Sequence, residues 1–411
     1  MSSQEIVGTM IDPNELFEND NPIFANKDLL RVEHLPKGDK IIGRDEQIQS
    51  LANALRQAVH GRTPNNALVY GKTGTGKSLC TKYVTKNIVP QAKSNGVTVG
   101  VSYIDCLQED SETDLISSIA REFNSPDTDI TVPLKGISTS QYYQKLWDIL
   151  DHSYDVGIIV LDEIDKIGDE DSEKALMLLS RAVEAGKISD CKLGIIGISN
   201  DIRYKEKADE RLKSSLGEQE FVFPPYDANQ LREILKSRRE AFADSALSED
   251  AIPKAAAFAA KEHGDARKAI DILRFAGEKA EAEGASTVTD THIDEARDRQ
   301  EEARLAELIS CQVDHSQYLL IALAMKTKEN GHTDGEVPTK KLYEFYKTIC
   351  DREGTDPLKI RRVRGLLDEL DFLSLIDQEY KSRGRGRGGH MVNTLLDDPD
   401  LVLSACDMTN S

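Results

Sequence analysis

Long apolar runs are missing from this chain of 411 residues. None approaches the roughly 20 residues that a membrane-crossing helix needs, so no membrane partner is expected. Paired cysteines are missing as well. Cys80, Cys106, Cys191, Cys311, Cys350 and Cys406 stand far apart, with no C-x-x-C and no histidine at zinc-ligand spacing. That pattern sets aside a disulfide scaffold or zinc module and predicts reduced thiols in a cytosolic protein. The opening Met1-Ser2-Ser3-Gln4-Glu5 has neither the basic nor the apolar region of a signal peptide, so a soluble, cytoplasmic protein is expected. Basic residues are outnumbered, 52 Lys and Arg against 72 Asp and Glu, for a formal charge of −20. Taken over the whole chain, such acidity argues against attraction to nucleic acid, which needs phosphates neutralised. The acids are scattered rather than gathered in a tail, and a surface adapted to high salt accounts for them.

What is present is a phosphate-binding loop. Gly71-Lys72-Thr73-Gly74-Thr75-Gly76-Lys77-Ser78 satisfies G-x-x-x-x-G-K-[ST] and lies between the strand-like Ala67–Tyr70 and a helix-like run opening at Leu79. Glycines allow backbone N–H groups to turn around phosphates, Lys77 supplies a point charge for the outer phosphates, and the Ser78 hydroxyl suits Mg²⁺. A nucleoside triphosphate is therefore the expected ligand. Ile158-Ile159-Val160-Leu161-Asp162-Glu163 is an apolar strand ending in two carboxylates. Asp162 is placed to hold Mg²⁺ through its water shell, and Glu163 to polarise an attacking water. Leu193–Asn200 is another buried strand, whose terminal Asn200 suits either orienting that water or capping the next turn.

The length predicts two to three domains. Residues 1–40 form a polar arm. Strands at Ala67–Tyr70, Val97–Asp105, Gly157–Asp162 and Leu193–Asn200 alternate with helices over 41–225, which predicts an α/β domain with a parallel sheet. Helical periodicity at Asn229–Phe242, Pro253–His263, Ala266–Ala282 and Asp290–Ala306 predicts a helical domain over 226–310. In 311–411, three helical stretches (Ser316–Lys326, Thr339–Asp351 and Pro357–Phe372) precede a strand–turn–strand pattern. Asp356-Pro357 has the form of a helix start. Ile360, Val363, Leu366, Leu367 and Leu370 make one apolar stripe beyond it, with Lys359, Arg361, Arg362 and Arg364 crowded into the first turns off that stripe. A basic helix start of this kind suits the DNA major groove. The hairpin tip, with Arg383, Arg385 and Arg387 alternating with glycine, suits a narrow minor groove.

Together these features resemble the AAA+ ATPases, and within them the archaeal origin-recognition/cell-division-control type of replication initiator, from about Ile41 to Leu396. The resemblance implies an α/β AAA+ P-loop domain with a helical lid, plus a C-terminal winged-helix domain. It implies ATP or ADP with Mg²⁺ as ligands and Asn200 as a first sensor. Residues alone place Arg211 on a charged face with Lys205, Glu206, Lys207 and Asp209; the resemblance makes it an arginine finger. Gly264-Asp265-Ala266-Arg267-Lys268-Ala269 is similar to the second-sensor motif, with Arg267 reaching the γ-phosphate. Ile42–Gln47, including Arg44, matches a segment flanking the adenine, and Leu79 and Tyr226 are assigned to the same nucleotide site. The segment Pro126–Ser140 corresponds to an insertion that contacts DNA, through Lys135, Gly136, Ser138 and Thr139, although the residues themselves read as a surface helix and loop. Implied partners are double-stranded origin DNA, the replicative helicase, and further copies or paralogues on DNA. Two other functions fit the same residues: a winged-helix ATPase regulating transcription, and a DNA-binding module using ATP only as a structural ligand.

Overall fold

The computed structural model describes residues 23–31, 34, 41–166, 169–201, 219–329, 335–382 and 389–409. The chain divides into two compact units, Met1–Asp290 and Thr291–Ser411.

In the first unit, α1 (Asp45–Leu55) precedes β1 (Ala67–Tyr70), α2 (Lys77–Ser94) and β2 (Val99–Asp105). There follow α3 (Glu112–Phe123), α4 (Thr139–Ser153), β3 (Val156–Asp162), α5 (Asp169–Ser180), β4 (Lys192–Ser199) and β5 (Gln219–Val222). The five strands pair in parallel in the order β2-β3-β4-β1-β5. Alternate residues serve opposite faces: Val69, Ile158, Val160 and Ile196 enter one core, and Leu68, Ile159, Leu161 and Ile195 the other. Covering both faces is what lets a parallel strand be almost wholly apolar, as β3 and β4 are. Strand β5 was not predicted. It is a half-exposed edge containing Gln219 and Glu220, so it carries little of the apolar signal.

The lid helices are α6 (Ala228–Ser237), α7 (Ala251–Lys261) and α8 (Ala266–Ala282). The expected helix Asn229–Phe242 stops at Ser237 and continues only as a 3₁₀ turn over Arg239–Ala241. Part of the N-terminal arm docks on the lid: the Ala25 and Asn26 N–H groups donate to the Ala241 carbonyl, and Phe24 packs on Phe242. Gly277 permits that approach, since a Cβ there would lie 2.3 Å from the Phe24 ring.

Helix α9 (Asp290–Ser310) begins at the division between the units. The compact units divide at Asp290, ahead of residue 310, and Leu305 and Ile309 of this helix are buried in the core of the second unit. That unit adds α10 (Asp314–Glu329), β6 (Val337–Pro338), α11 (Thr339–Arg352), α12 (Ile360–Phe372), β7 (Ile376–Ser382), β8 (Gly389–Leu395) and α13 (Pro399–Thr409). Its antiparallel sheet runs β6-β8-β7. Asp356-Pro357 does not start α12, which opens at Ile360. The preceding residues are pinned to α11: Tyr343 Oη donates to the Leu358 carbonyl at 2.9 Å, and the Leu358 N–H donates to Tyr346 Oη at 3.1 Å. Two hydrogen bonds to another helix thus override a favourable capping pair.

Candidate functional site

Strands β3, β4 and β1 are neighbours, and their C-terminal ends deliver Asp162 and Glu163, Asn200, and the phosphate loop to one edge of the sheet. Such an edge is where open α/β sheets bind ligands. A cavity of about 210 Å³ lies there, lined by the loop from Thr73 to Leu79, by Asp162, Glu163 and Asn200, and by Tyr226 and Arg267 from the lid side. Five predicted positions thus meet the loop's own residues in one space.

The loop is shaped by its glycines. Gly74 and Gly76 hold φ of 71° and 86°, a left-handed region costly for other residues. At Gly74 a Cβ would also collide with the Asp265 carboxylate, and at Gly76 with the Tyr226 hydroxyl. Asp265 caps α8 by accepting from the N–H groups of Arg267 (2.7 Å) and Lys268 (3.3 Å), while the Ala266 N–H donates to the Gly74 carbonyl. The loop tip and the start of the Arg267 helix are therefore latched together.

Lys77 is only 5% exposed. Its ammonium donates to the carbonyls of Gly71 (2.7 Å) and Lys72 (2.9 Å) and to Asn200 Oδ1 (2.8 Å). Gly71 and Lys72 thus act from behind, through their carbonyls, outside the cavity lining. Burial pushes the Lys77 amine down to about 8. The other face of Asn200 donates to Glu163 Oε1 at 3.1 Å, so one amide bridges the loop lysine and the candidate base. Asp165 anchors that bridge by accepting from the Asn200 N–H at 3.1 Å. Glu163 holds a φ of 55°, rare for a residue with a side chain and a form of strain found at functional positions.

Arg44 stands elsewhere than its assignment to the adenine surroundings implies. It is 1% exposed, lies outside the cavity lining, and donates to the carbonyls of Thr75 (2.9 Å), Gly43 (3.2 Å) and Pro224 (2.5 Å) while stacking on Tyr226. It ties the phosphate loop to the start of the lid. Two contributors had no sequence signal. Tyr103 of β2 donates to Asp162 Oδ2 at 2.5 Å, with Ser78 beside its hydroxyl and the Lys82 ammonium over its ring. Its phenol is pushed upward by burial and by Asp162. Arg238, at the end of α6, also lines the cavity.

The donor set fits a nucleoside triphosphate with Mg²⁺: a buried ammonium, glycines at close approach, and one hydroxyl and one carboxylate, Ser78 and Asp162, sharing the cavity wall. Arg211 lies outside the described residues.

In the second unit, Val363, Leu366, Leu367 and Leu370 are buried, while Lys359, Arg361, Arg362 and Arg364 are exposed around the first two turns of α12. Arg362 approaches Glu369 only at 3.9 Å, and the other three cations have no ion pair among the described residues. Strands β7 and β8 pair from Ile376–Leu395 to Ser382–Gly389, forming the predicted hairpin; its Arg383, Arg385 and Arg387 lie outside the described residues. In the segment 126–140, Ile130, Val132 and Ile137 pack on the core, and the Ser138 N–H is capped by Gln141. The Thr139 hydroxyl bonds to that of Thr113, which leaves Leu134, Lys135 and Gly136 projecting.

A phosphate loop, an acidic strand end, a polar third strand end and a lid helix carrying an arginine, all around one cavity, define an AAA+ ATPase. The chain matches an AAA ATPase domain over residues 40–190, the Cdc6 AAA+ ATPase-type lid domain over 232–298, and the CDC6 C-terminal winged helix domain over 307–405. It is 48% identical to ORC1-type DNA replication protein 4 of Halobacterium salinarum, covering 94% of this chain and 93% of that protein. With the ORC1-type DNA replication protein of Thermococcus kodakarensis it shares 43% identity over 88% of this chain and 86% of the relative. Among solved structures it is similar to the Aeropyrum pernix ORC1 protein in complex with DNA, with a TM-score of 0.71, 34% identity, and coverage of 94% and 97% of the two chains. The chain belongs to the ORC1/Cdc6 family of replication initiators. The haloarchaeal relatives fit the acidic surface.

Proposed function

We propose that this protein binds duplex origin DNA through its winged helix and uses slow ATP hydrolysis as a switch between two states. The observation that carries the nucleotide half is the bridge Lys77–Asn200–Glu163 across the mouth of a phosphate loop latched to the lid. ATP and ADP are the ligands, held by Thr73–Leu79 with Tyr226 and Arg267, and supported from behind by Arg44, Gly71 and Lys72. Ser78 and Asp162 would hold Mg²⁺, which would supply charge neutralisation at the phosphates. Glu163 accepts a proton from the attacking water. A γ-phosphate oxygen, an acceptor, would compete with Asn200 Oδ1 for the Lys77 ammonium and with Glu163 Oε1 for the Asn200 amide, which would free the Glu163 carboxylate. Arg267 reports the same phosphate to the lid through α8, and Arg211 would act on the charge that develops in the transition state.

DNA binding rests on Lys359, Arg361, Arg362 and Arg364, the exposed basic start of an otherwise apolar-backed helix, and on Arg383, Arg385 and Arg387 of the wing. The A. pernix ORC1 protein, solved in complex with DNA, supports this reading. Lys135 and Gly136 are candidates for a second contact. In a chain of charge −20, local basic groups reading groove shape imply a shallow dependence of binding on salt. Recruitment of the replicative helicase, assembly with further copies or paralogues, and a place at the nucleoid in the cytoplasm follow from the family reading. The domains are then arm 1–40, base 41–225, lid 226–310 and winged helix 311–411, with α9 shared between the last two.

The test is capture of sheared genomic DNA by the pure protein with ATP in high salt, beside a variant carrying Arg383, Arg385 and Arg387→Ala. Enrichment of a few discrete intergenic sites, lost in the variant, is expected. Enrichment at many promoters would instead make the protein a transcriptional regulator, and no selective enrichment would remove DNA from the function.

A further inference from the structure

The basic end of α12 starts without a cap. Lys359 stands at the N-cap position and offers no side-chain acceptor, although Asp356-Pro357, a pair that favours a helix start, lies just upstream. Two tyrosines of α11 keep the helix from beginning there. Tyr343 Oη donates to the Leu358 carbonyl at 2.9 Å, and the Leu358 N–H donates to Tyr346 Oη at 3.1 Å, so both backbone polar groups of Leu358 are engaged. Lys359, next along, is extended, with φ −64° and ψ 146°. In a helix opening at Pro357, the Leu358 carbonyl would instead accept from the N–H four residues on, so the tyrosines and the longer helix compete for it.

The clasp itself is firmly held. Tyr346 is 0% exposed, its ring stacks on that of Tyr343 at 6.0 Å, and its hydroxyl lies 2.7 Å from His315 Nδ1 of α10. The Lys347 ammonium sits over the Tyr343 ring. Phenylalanine would fill the same space, so what the two hydroxyls add is the fixing of one residue immediately ahead of Lys359 and Arg361. Released, α12 would gain almost one further turn, capped by Asp356. Lys359 would swing from a ψ of 146° to the helical value of about −42°. The added turn would stand ahead of Arg361 and Arg362, at the end of the helix that the DNA reading places in the major groove.

Resting on that reading, we infer that Tyr343 and Tyr346 are positioning residues for DNA recognition, which hold Leu358 extended and so keep α12 in the short form that presents its basic first turn. Both act through the backbone of Leu358 rather than on the DNA. The capping pair Asp356-Pro357 is their competitor, and the balance between clasp and cap sets how α12 begins.

The experiment measures, by anisotropy, the affinity for a duplex enriched in the genomic capture described above. It compares wild type, Tyr343→Phe and Tyr343→Phe with Tyr346→Phe, each alone and with Asp356→Ala or Asp356→Asn added. About a fivefold loss is expected for Tyr343→Phe, as for one hydrogen bond, and a larger loss for the pair. Adding Asp356→Ala, which weakens the competing start, recovers most of that loss, because a cap and a hydrogen bond are of similar strength. Asp356→Asn removes the charge but keeps the cap, so it changes wild type and Tyr343→Phe by the same factor and recovers nothing further. Wild-type affinity in the double tyrosine variant would overturn the inference. So would a loss that Asp356→Ala relieves no more than it improves wild type, which would make the tyrosines structural, or equal relief by Asp356→Asn, which would make the effect one of charge. The change of Arg361, Arg362 and Arg364→Ala tests the reading beneath. If it abolishes binding while both tyrosine variants bind as wild type does, the DNA reading stands and this inference fails. If wild type enriches no duplex, both fall together.

Discussion

Lys77 and Arg44 are 5% and 1% exposed, with every described hydrogen bond of their side chains made to the protein, whereas Lys359, Arg361, Arg362 and Arg364 all stand in solvent. The ATPase unit fixes these two cations in advance, so little rearrangement of them accompanies phosphate binding. The winged-helix unit leaves its cations hydrated, where ordering them on a partner costs entropy and where salt weakens them. The same residue types therefore act as a rigid cradle in one unit and as an adaptable contact surface in the other. Changes in the first should alter chemistry or stability sharply, and changes in the second should alter affinity by increments.

Glu163→Gln probes that contrast with the largest effect. ATP turnover is expected to fall by about 10²–10⁴-fold, as for loss of a general base, with ATP affinity retained. Unchanged turnover would mean ATP serves only as a structural ligand. Next comes the triple change Arg361, Arg362 and Arg364→Ala. Three contacts of about 1 kcal/mol each predict about a 100-fold loss of DNA affinity and a shallower salt slope by up to about 3. Anisotropy titrations over a range of salt would check it, with ATP binding unaltered as the internal control.

Arg44→Lys sharpens the comparison from inside the first unit. The lysine keeps the charge but cannot reach three carbonyls on three segments, so a stability loss of about 2 kcal/mol is expected. Thermal melting would show it as a fall of several degrees, and the same Arg→Lys exchange at exposed Arg361 should leave melting unmoved. The smallest effect is expected from Tyr103→Phe. Removing one hydrogen bond of about 1 kcal/mol from Asp162 should raise the Mg²⁺ concentration needed for tight ATP binding about fivefold. Equal Mg²⁺ dependence in wild type and variant would show that Asp162 is oriented without Tyr103.

Legibility in the sequence followed how local each feature is. Strand β1 and helix α8 lie where the pattern predicted, because apolar runs and a capping Asp265 are written within a few residues. Strand β5 was missed because its order comes from pairing with β1, not from its own Gln219-Glu220-Phe221-Val222. The start of α12 was misplaced because Tyr343 and Tyr346, more than ten residues away, hold Leu358 extended. In the site, the loop and acidic strand end were readable as motifs. Arg44 was recognisable as part of the site but not as a buried strut, since nothing in Gly43-Arg44-Asp45 shows where a side chain will point.

By itself the sequence determined the phosphate loop, the acidic pair, the basic start of α12 and the order of domains, because each depends on residue type and spacing along the chain. Only the tertiary structure decided that Asn200 bridges Lys77 to Glu163, that Asp165 and Tyr103 hold that arrangement, and that Arg238 is buried without a partner. Those facts join residues separated by up to 123 positions. They arise from the parallel order β3-β4-β1 and the fold of the lid, which set neighbours in space that no local pattern records.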